Sequence, residues 1–219
     1  YEGDSVQFVD ESTSYPDELV MWYWNLGGKA ISEEQVPDPV VFTQEGYNIT
    51  TLVVMDDDGS IDIFSDTIYV LNAPPEVSAD NSMVVVDEGE MAYNTGSFSD
   101  PGEDYIKLSA SIGTLVQTGE QEGTWSWSFD TSDGPDESQT VVITATECNG
   151  NLSTIATFQL VVNNVAPEVD ADESFVMVDE GDSASNAGIF SDVGLDDVTI
   201  SSSVGTITQT LGQAGTWSW

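Results

Sequence analysis

One stretch decides the fold: residues 72–99 read NAPPEVSADNSMVVVDEGEMAYNTGSFS, and residues 164–191 read NVAPEVDADESFVMVDEGDSASNAGIFS. The match continues without an insertion or deletion to residues 127 and 219, where GTWSW closes both copies. More than half of the aligned positions are identical at an offset of 92 residues. Such an offset predicts an array of repeated modules, which usually spans distance or presents a surface rather than enclosing a catalytic pocket.

Short connectors that contain Pro and Asn divide the chain into modules. Residues 71–75 and 163–167 each follow one alternating apolar pattern and precede another, and Pro favours an extended backbone at such places. We therefore predict module one at residues 1–72, module two at 73–164 and module three at 165–219. The second copy of the repeat stops after about five predicted strands, so we expect the sequence to continue beyond residue 219.

Module two contains seven short runs with β-strand character, separated by Gly, Asp, Asn and Pro clusters. This spacing is typical of an antiparallel sandwich, and no segment carries a sustained helical period. The predicted strands are 77–86, 91–98, 105–111, 114–118, 124–130, 140–146 and 154–162. The predicted fold class is all-β, with tandem immunoglobulin-like antiparallel β-sandwich domains joined by short Pro/Asn linkers.

The strand order also predicts where the loops of module two lie. If successive strands alternate in direction, loops 99–104 and 147–151 lie at the pole nearer module one, which we call the proximal pole. Loops 87–90 and 131–138 then lie at the distal pole, nearer module three.

The charge of the chain excludes several partners. It has 40 Asp and Glu residues against 2 Lys and Arg, no His, and a net charge of -38. Nucleic acid and direct membrane contact are excluded for this segment, because both need cationic side chains. Self-repulsion of this size calls for screening by salt or for bound cations, which fits a calcium-containing exterior or a salt-loaded interior. Cys148 is the only Cys, so no intrachain disulfide staples the modules.

The side-chain inventory argues against an enzyme. Without His or Arg, the usual general bases and nucleophile activators are missing. Paired carboxylates could serve a glycosidase, but acids at this density pair by chance on a solvated surface. Trp125 and Trp127 lie two apart on a strand, as do Trp22 and Trp24, so each pair faces one side. They could form a sugar platform, but a sandwich needs a large buried aromatic between its sheets, and we predict that they fill the core.

Oxygen ligands gather where the modules meet. Carboxylates converging from two modules would repel one another, and a divalent cation between them would turn this repulsion into a rigid joint. The candidate calcium ligands at the joint between modules one and two are Asn72, Asp100 and Asp104. Those at the joint between modules two and three are Asp87, Glu88, Asp133, Asp136, Asn163, Asn164, Asp192 and Asp196, with Glu137 beside them. The alternative is that these residues are only the turn formers and caps that loops need.

Two acidic or polar motifs remain. Residues 56–62 (DDDGSID) resemble part of a calcium loop, but they lack a closing Glu, and we interpret them first as a strand-to-strand turn and only second as a metal site. Asn48 and Asn151 begin N-x-Ser/Thr sequons and are candidate glycosylation sites if the chain is exported.

Module one resembles the polycystin-type (PKD) domain, an immunoglobulin-like sandwich common in prokaryotic surface proteins. The resemblance lies in residues 22–28 (WYWNLGG), 46–49 (GYNI) and 54–59 (VMDDDG). Asn25 and Gly28 stand where that family carries acids, and the family's first strand has no counterpart here.

Modules two and three resemble the acidic immunoglobulin-like or cadherin-like repeats of large bacterial and archaeal surface proteins, through DEG, FSD and GTWSW. In cadherin-like repeats, acids at the first strand turn and in a distal loop, an Asn-bearing connector and acids of the next module bind calcium together. The positions above match that plan by location, although the cadherin connector motif is absent.

These observations predict a non-catalytic structural segment of a large extracellular cell-surface protein, such as a surface layer, filament or adhesin stalk. Calcium would be its structural cofactor, and its partners would be other copies of itself or other surface proteins, with glycans as a further possibility. The alternative is a set of accessory carbohydrate- or protein-binding modules of a secreted hydrolase.

Overall fold

The computed structural model describes residues 1–148 and 152–219 of the chain, and β-strands are the only regular elements among these residues. The strands form separate antiparallel sheets in succession along the sequence, with one parallel pair in module two. The prediction of an all-β fold of tandem immunoglobulin-like sandwiches is confirmed. The described residues include no helix that is long and apolar enough to cross a membrane.

Module one contains β1 (Ser5–Val6), β2 (Leu19–Leu26), β3 (Ala30–Ser32), β4 (Val40–Val41), β5 (Gly46–Asp56) and β6 (Ile61–Val70). The antiparallel sheet has the order β3-β2-β5-β6, and the short β1-β4 pair forms a second layer. Side chains alternate along β5, so that Thr50, Leu52 and Val54 are buried while Tyr47 and Ile49 face solvent. The inward face packs Trp24 and Phe42 into a small core.

Module two contains β7 (Glu76–Ala79), β8 (Met83–Asp87), β9 (Met91–Ser99), β10 (Ile106–Ala110), β11 (Thr114–Thr118), β12 (Glu122–Asp130), β13 (Gln139–Glu147) and β14 (Ser153–Asn163). One sheet has the order β10-β13-β14-β8, and the other has the order β11-β12-β9-β7. Six of the seven predicted strands are confirmed, with bounds that differ by at most two residues.

The seventh prediction, a single strand over residues 77–86, is wrong. The chain forms two strands there: β7 pairs antiparallel with β9, and β8 pairs parallel with β14 in the opposite sheet. The break falls at Asp80, Asn81 and Ser82, residue types that favour turns. Asn94 holds the break in place, because its Oδ1 accepts from the Asn81 amide at 3.3 Å and its Nδ2 donates to the Asn81 carbonyl at 2.9 Å.

The two Trp residues of β12 lie in the core of module two. Trp125 and Trp127 are 2% and 1% exposed, and the Trp127 ring meets Phe158 edge-on at a centroid distance of 4.9 Å. Their indole N–H groups donate to the carbonyl oxygens of Ser78 and Ile112. The prediction that these residues fill the core, rather than form a sugar platform, is confirmed.

Module three contains β15 (Glu168–Ala171), β16 (Ala187–Ser191), β17 (Thr208–Gln209) and β18 (Ala214–Ser218), in the order β15-β16-β18-β17. This sheet repeats the β7-β9-β12-β11 sheet of module two. Residues 175–179 and 198–202, which align with β8 and β10, form no strand. The partners of β8 and β10 are β14 and β13, and residues 165–219 contain no counterpart of either.

Candidate cation sites at the module joints

Three carboxylates meet where module one joins module two, at a place that we call joint one. Glu2, Asp100 and Asp104 each offer an oxygen that lies within 4.8 Å of the others. Glu2 precedes β1 and is only 3% exposed, while Asp100 directly follows β9 and is 9% exposed. Both modules therefore contribute ligands to one cluster.

The backbone fixes the carboxylates of joint one. Asp100 Oδ1 accepts from the amides of Gly102 at 2.8 Å and Asp104 at 3.1 Å, which makes a tight turn after β9. The Ala73 amide of the connector donates to Glu2 Oε2 at 3.3 Å. Gly102 faces Glu2 so closely that a Cβ at this position would lie 2.4 Å from Glu2 Oε2. Only glycine leaves room for the carboxylate there.

Joint two, between modules two and three, has the same construction. Glu88, Asp192 and Asp196 offer oxygens within 4.8 Å of one another. Glu88 is 1% exposed and accepts from the amides of Gly134 at 2.8 Å and Val165 at 2.6 Å. A Cβ on Gly194 would lie 2.4 Å from Glu88 Oε2.

The two joints are therefore copies of one arrangement. Each turn glutamate also makes the same backbone contacts: the Glu2 amide donates to Leu71 and the Glu88 amide to Asn163, at 2.9 and 3.0 Å. The matching pairs across the two joints are Glu2 and Glu88, Asp100 and Asp192, Gly102 and Gly194, and Asp104 and Asp196. A cluster that arose from chance crowding of acids would not be expected to recur with the same backbone support.

Among the described residues, no cationic side chain pairs with the carboxylates of either joint. The one ion pair there joins the Tyr1 amino group to Asp4. Two like charges 4.8 Å apart repel by about 3 kcal/mol at an effective dielectric constant of roughly 20. Burial, with the charges of Asp104 and Asp100, raises the pKa of Glu2. The free energy of each cluster would therefore fall on binding a cation or a proton.

The predicted connector residues have different environments. Asn72 Nδ2 donates to Glu147 Oε2 at 2.8 Å in joint one. Asn164 lies against joint two, with its amide nitrogen 2.7 Å from Asp196 Oδ2 in the orientation that satisfies its neighbours. Asn163 Nδ2 donates to Asp87 Oδ1 at 3.1 Å, and both residues are exposed and outside the three-carboxylate set.

The distal loop of module two places its acids around joint two. Asp133 is outside the three-carboxylate set, although burial and the charges of Asp136 and Asp196 raise its pKa, and Asp136 is exposed. Glu137 is used within the loop: burial raises its pKa, but hydrogen bonds from the Ser132 and Asp133 amides outweigh this and lower it. These contacts confirm the predicted polarity of the loops.

Sequence reasoning missed two residues of joint one, Glu2 and Glu147. The signal for Glu2 was present, because Glu2-Gly3 repeats the Glu88-Gly89 step of the next module. Glu147, the last residue of β13, gave no such signal, because residues 165–219 contain nothing that aligns with it.

The remaining polar motifs lie away from the joints. In the β5-β6 turn, Asp56 Oδ1 accepts from the Ser60 amide at 2.8 Å, which confirms the first interpretation of residues 56–62 as a strand-to-strand turn. Asn48 is half-buried within β5, and its amide donates to the Gly46 carbonyl at 3.3 Å. Asn151 lies outside the described residues.

Comparison with known proteins gives matches among solved structures alone: no family model and no curated protein matches the chain. The N-terminal eight Ig domains of Down syndrome cell adhesion molecule match at 14% identity, over 99% of this chain and 34% of that one, with a TM-score of 0.36. PcdhgB3 EC1-4 matches at 14% identity, over 98% and 61%, with a TM-score of 0.36. Titin z1z2 in complex with telethonin matches at 16%, over 74% and 89%, with a TM-score of 0.38.

A structure of Dpr2 Ig1-Ig2 in complex with DIP-Theta Ig1-Ig3 also matches, at 11% identity and a TM-score of 0.36, and this chain spans 59% of it. At these values the likeness concerns the β-sandwich fold alone. No function is taken from it.

Proposed function

We propose that this chain is a non-catalytic structural segment of a large extracellular cell-surface protein, in which calcium at the joints fixes the angles between β-sandwich modules. The modules correspond to residues 1–72, of PKD type, and to 73–164 and 165–219, the acidic repeats. The observation that carries this proposal is the recurrence of one three-carboxylate cluster at both joints on the same backbone contacts. A surface layer, a filament and an adhesin stalk are all compatible with such a string.

The chemistry of the ligands favours calcium. Calcium takes six to eight oxygen ligands from carboxylates, amide carbonyls and backbone in irregular loops, whereas magnesium requires near-ideal octahedral geometry. Glu2, Asp100 and Asp104 come from two modules, and Asn72 stands beside them. Backbone carbonyls and water would complete the shell.

A bound cation would also set the mechanical behaviour of the string. Without it, the carboxylates of adjoining modules repel one another and favour an open joint. With it, Glu88 of module two and Asp192 of module three share one ion, so bending the joint would separate ligands from the metal. The stiffness of the segment should follow the calcium concentration by mass action.

A thermal melt of the 219-residue chain tests this proposal. It is recorded in metal-free buffer, in calcium, and in NaCl that matches the ionic strength of the calcium sample. We expect calcium to raise the melting temperature by about 5–10 °C per occupied joint at a hundredfold excess over Kd, and NaCl to give a smaller, gradual rise. Equal effects of the two salts at equal ionic strength would mean that calcium acts only by screening charge, and this result would overturn the proposal.

A second candidate function, accessory binding of glycan or protein, is favoured by one surface. The outer face of β5 and β6 carries Tyr47, which is 79% exposed and whose ring is tilted against that of Tyr69 at a centroid distance of 4.7 Å. Exposed Ile49 lies two residues along β5, and exposed Ile63 lies farther along β6. Retention of the chain on insoluble polysaccharide, lost in Tyr47→Ala and kept in the control Tyr15→Ala, would establish it. Passage of the wild-type chain through the column would remove glycan as the ligand.

A further inference from the structure

Joint one contains three buried oxygens that have no hydrogen-bond partner among the described residues. They are Asn72 Oδ1, Asp100 Oδ2 and Glu147 Oε1. Glu147 is only 3% exposed and Asp100 only 9%. A buried polar atom left without a partner costs about 1–3 kcal/mol, and more when it is charged, so three in one place indicate that something is bound there.

In each of these side chains, the other polar atom makes a hydrogen bond that fixes the orientation of the unpartnered oxygen. Glu147 Oε2 accepts from Asn72 Nδ2 at 2.8 Å, which sets the orientation of both side chains. Asp100 Oδ1 accepts from the amides of Gly102 and Asp104, which leaves Oδ2 for another contact. Each unpartnered oxygen therefore belongs to a side chain that is already held in place.

We propose that joint one binds a second divalent cation, next to the one held by Glu2, Asp100 and Asp104. Its ligands are Asn72 Oδ1, Asp100 Oδ2 and Glu147 Oε1, and the Asp100 carboxylate bridges the two ions. This inference rests on the proposed function, which supplies the first ion. Glu147 is not one of the three carboxylates whose oxygens lie within 4.8 Å of one another, so the two positions have different ligand sets.

A cation accounts for the three oxygens better than a proton or a water molecule does. A proton on Glu147 could satisfy one neighbouring acceptor, and a water molecule has two hydrogens to donate. A divalent cation can take several oxygen ligands at once and would balance the charges of the two carboxylates.

The described residues of joint two do not form this second position. The position that would align with Glu147 in module three falls past residue 219, and the amide nitrogen of Asn164 lies against Asp196. No buried oxygen of joint two is without a partner among the described residues. We therefore expect the 219-residue chain to bind one cation at joint two and two cations at joint one.

Calcium stoichiometry tests the inference. Titration of the metal-free 219-residue chain by isothermal calorimetry should give three ions for the wild type and two for Glu147→Gln, which keeps the shape of the side chain but removes its charge. Glu120→Gln, an exposed acid of the same module, is the matched control and should keep three. Asn72→Ala provides a second variant, which should weaken one of the three ions by about tenfold or more.

Two results would overturn the inference, and they differ from each other. Two ions in both the wild type and Glu147→Gln would mean that Glu147 is simply protonated, while the first ion at each joint remains. No bound calcium in any variant would remove the proposed function as well.

Discussion

Replacing Glu88 by Gln takes one negative charge out of joint two while it keeps the length of the side chain. Glu88 lies within 4.8 Å of both Asp192 and Asp196 and accepts two backbone amides, those of Gly134 and Val165. Its effect on stability should therefore depend on whether a cation is bound.

In metal-free buffer, two contributions oppose each other. Loss of the Glu88 charge relieves its repulsion by Asp192 and Asp196, about 3 kcal/mol for each pair before the exposure of Asp196 reduces it. It also weakens one hydrogen bond to a charged acceptor and removes the other, because the Gln amide nitrogen cannot accept from a backbone N–H; each bond contributes about 1.5–3 kcal/mol. These contributions nearly cancel, so we expect a change in the free energy of unfolding within about 2 kcal/mol.

In calcium at a hundred times the wild-type Kd, the ion stabilises joint two by about 2.7 kcal/mol. Glu88→Gln should lose most of this and lower the melting temperature by about 5–10 °C. Calorimetric melts of the wild type, Glu88→Gln and the exposed neighbour Glu90→Gln, each with and without calcium, make the comparison. If Glu88→Gln destabilises the chain equally in both buffers, Glu88 has a structural role and the reasoning fails.

Three further predictions concern joint one and the core of module two. Gly102→Ala puts a Cβ 2.4 Å from Glu2 Oε2 and should weaken calcium binding at joint one about tenfold or more. Joint two, measured in the same titration, should keep its affinity. Unchanged calcium affinity at both joints would contradict the geometry of joint one. Burial, with the charges of Asp104 and Asp100, raises the pKa of Glu2, and burial and Asp100 raise that of Glu147, above the ordinary value of 4.5. Between 4.5 and those raised pKa values the folded chain binds more protons than the unfolded chain, so metal-free stability should fall as pH rises through this window. In calcium, stability should instead rise with pH, because protons compete with the ion for the carboxylates. Thermal melts at a series of pH values, with and without calcium, check this. The same pH dependence in both buffers would count against cation binding. Trp127→Ala should lower the free energy of unfolding by about 3–5 kcal/mol, because this side chain is 1% exposed; urea unfolding followed by circular dichroism measures it. The control Tyr93→Ala, at an exposed position, should change it by about 0.5 kcal/mol or less. Similar losses for both variants would contradict the assigned core.

The regular part of the fold could be predicted because its signals are local. Trp125 and Trp127 alternate with Ser and Thr along one strand, which indicates a face that is buried on one side. The break between β7 and β8 has a local signal in the polar run Asp80-Asn81-Ser82, but that signal does not show that β8 moves to the opposite sheet. The Asn94 side chain from another strand holds the break in place, and a contact so distant in sequence cannot be read from the segment itself.

Some residues of the joints could likewise be predicted from the sequence and others could not. Glu88, Asp192 and Asp196 could be predicted because each lies in a loop at a pole whose direction follows from strand alternation. Glu2 could have been found from its repeat at Glu88. Strand alternation also placed the loop that begins at Glu147 at the proximal pole, but the burial of Glu147 could not be predicted, because it depends on the contact between the connector residue Asn72 and the end of β13.

Crystals of the 219-residue chain grown in excess calcium, with anomalous difference maps, test the central claim most directly. The account predicts anomalous peaks at both joints, with ligand oxygens of Glu2 and Asp100, and of Glu88 and Asp192, at about 2.3–2.6 Å. Featureless maps at both joints, with water or protonated carboxyl pairs between the modules, would contradict it.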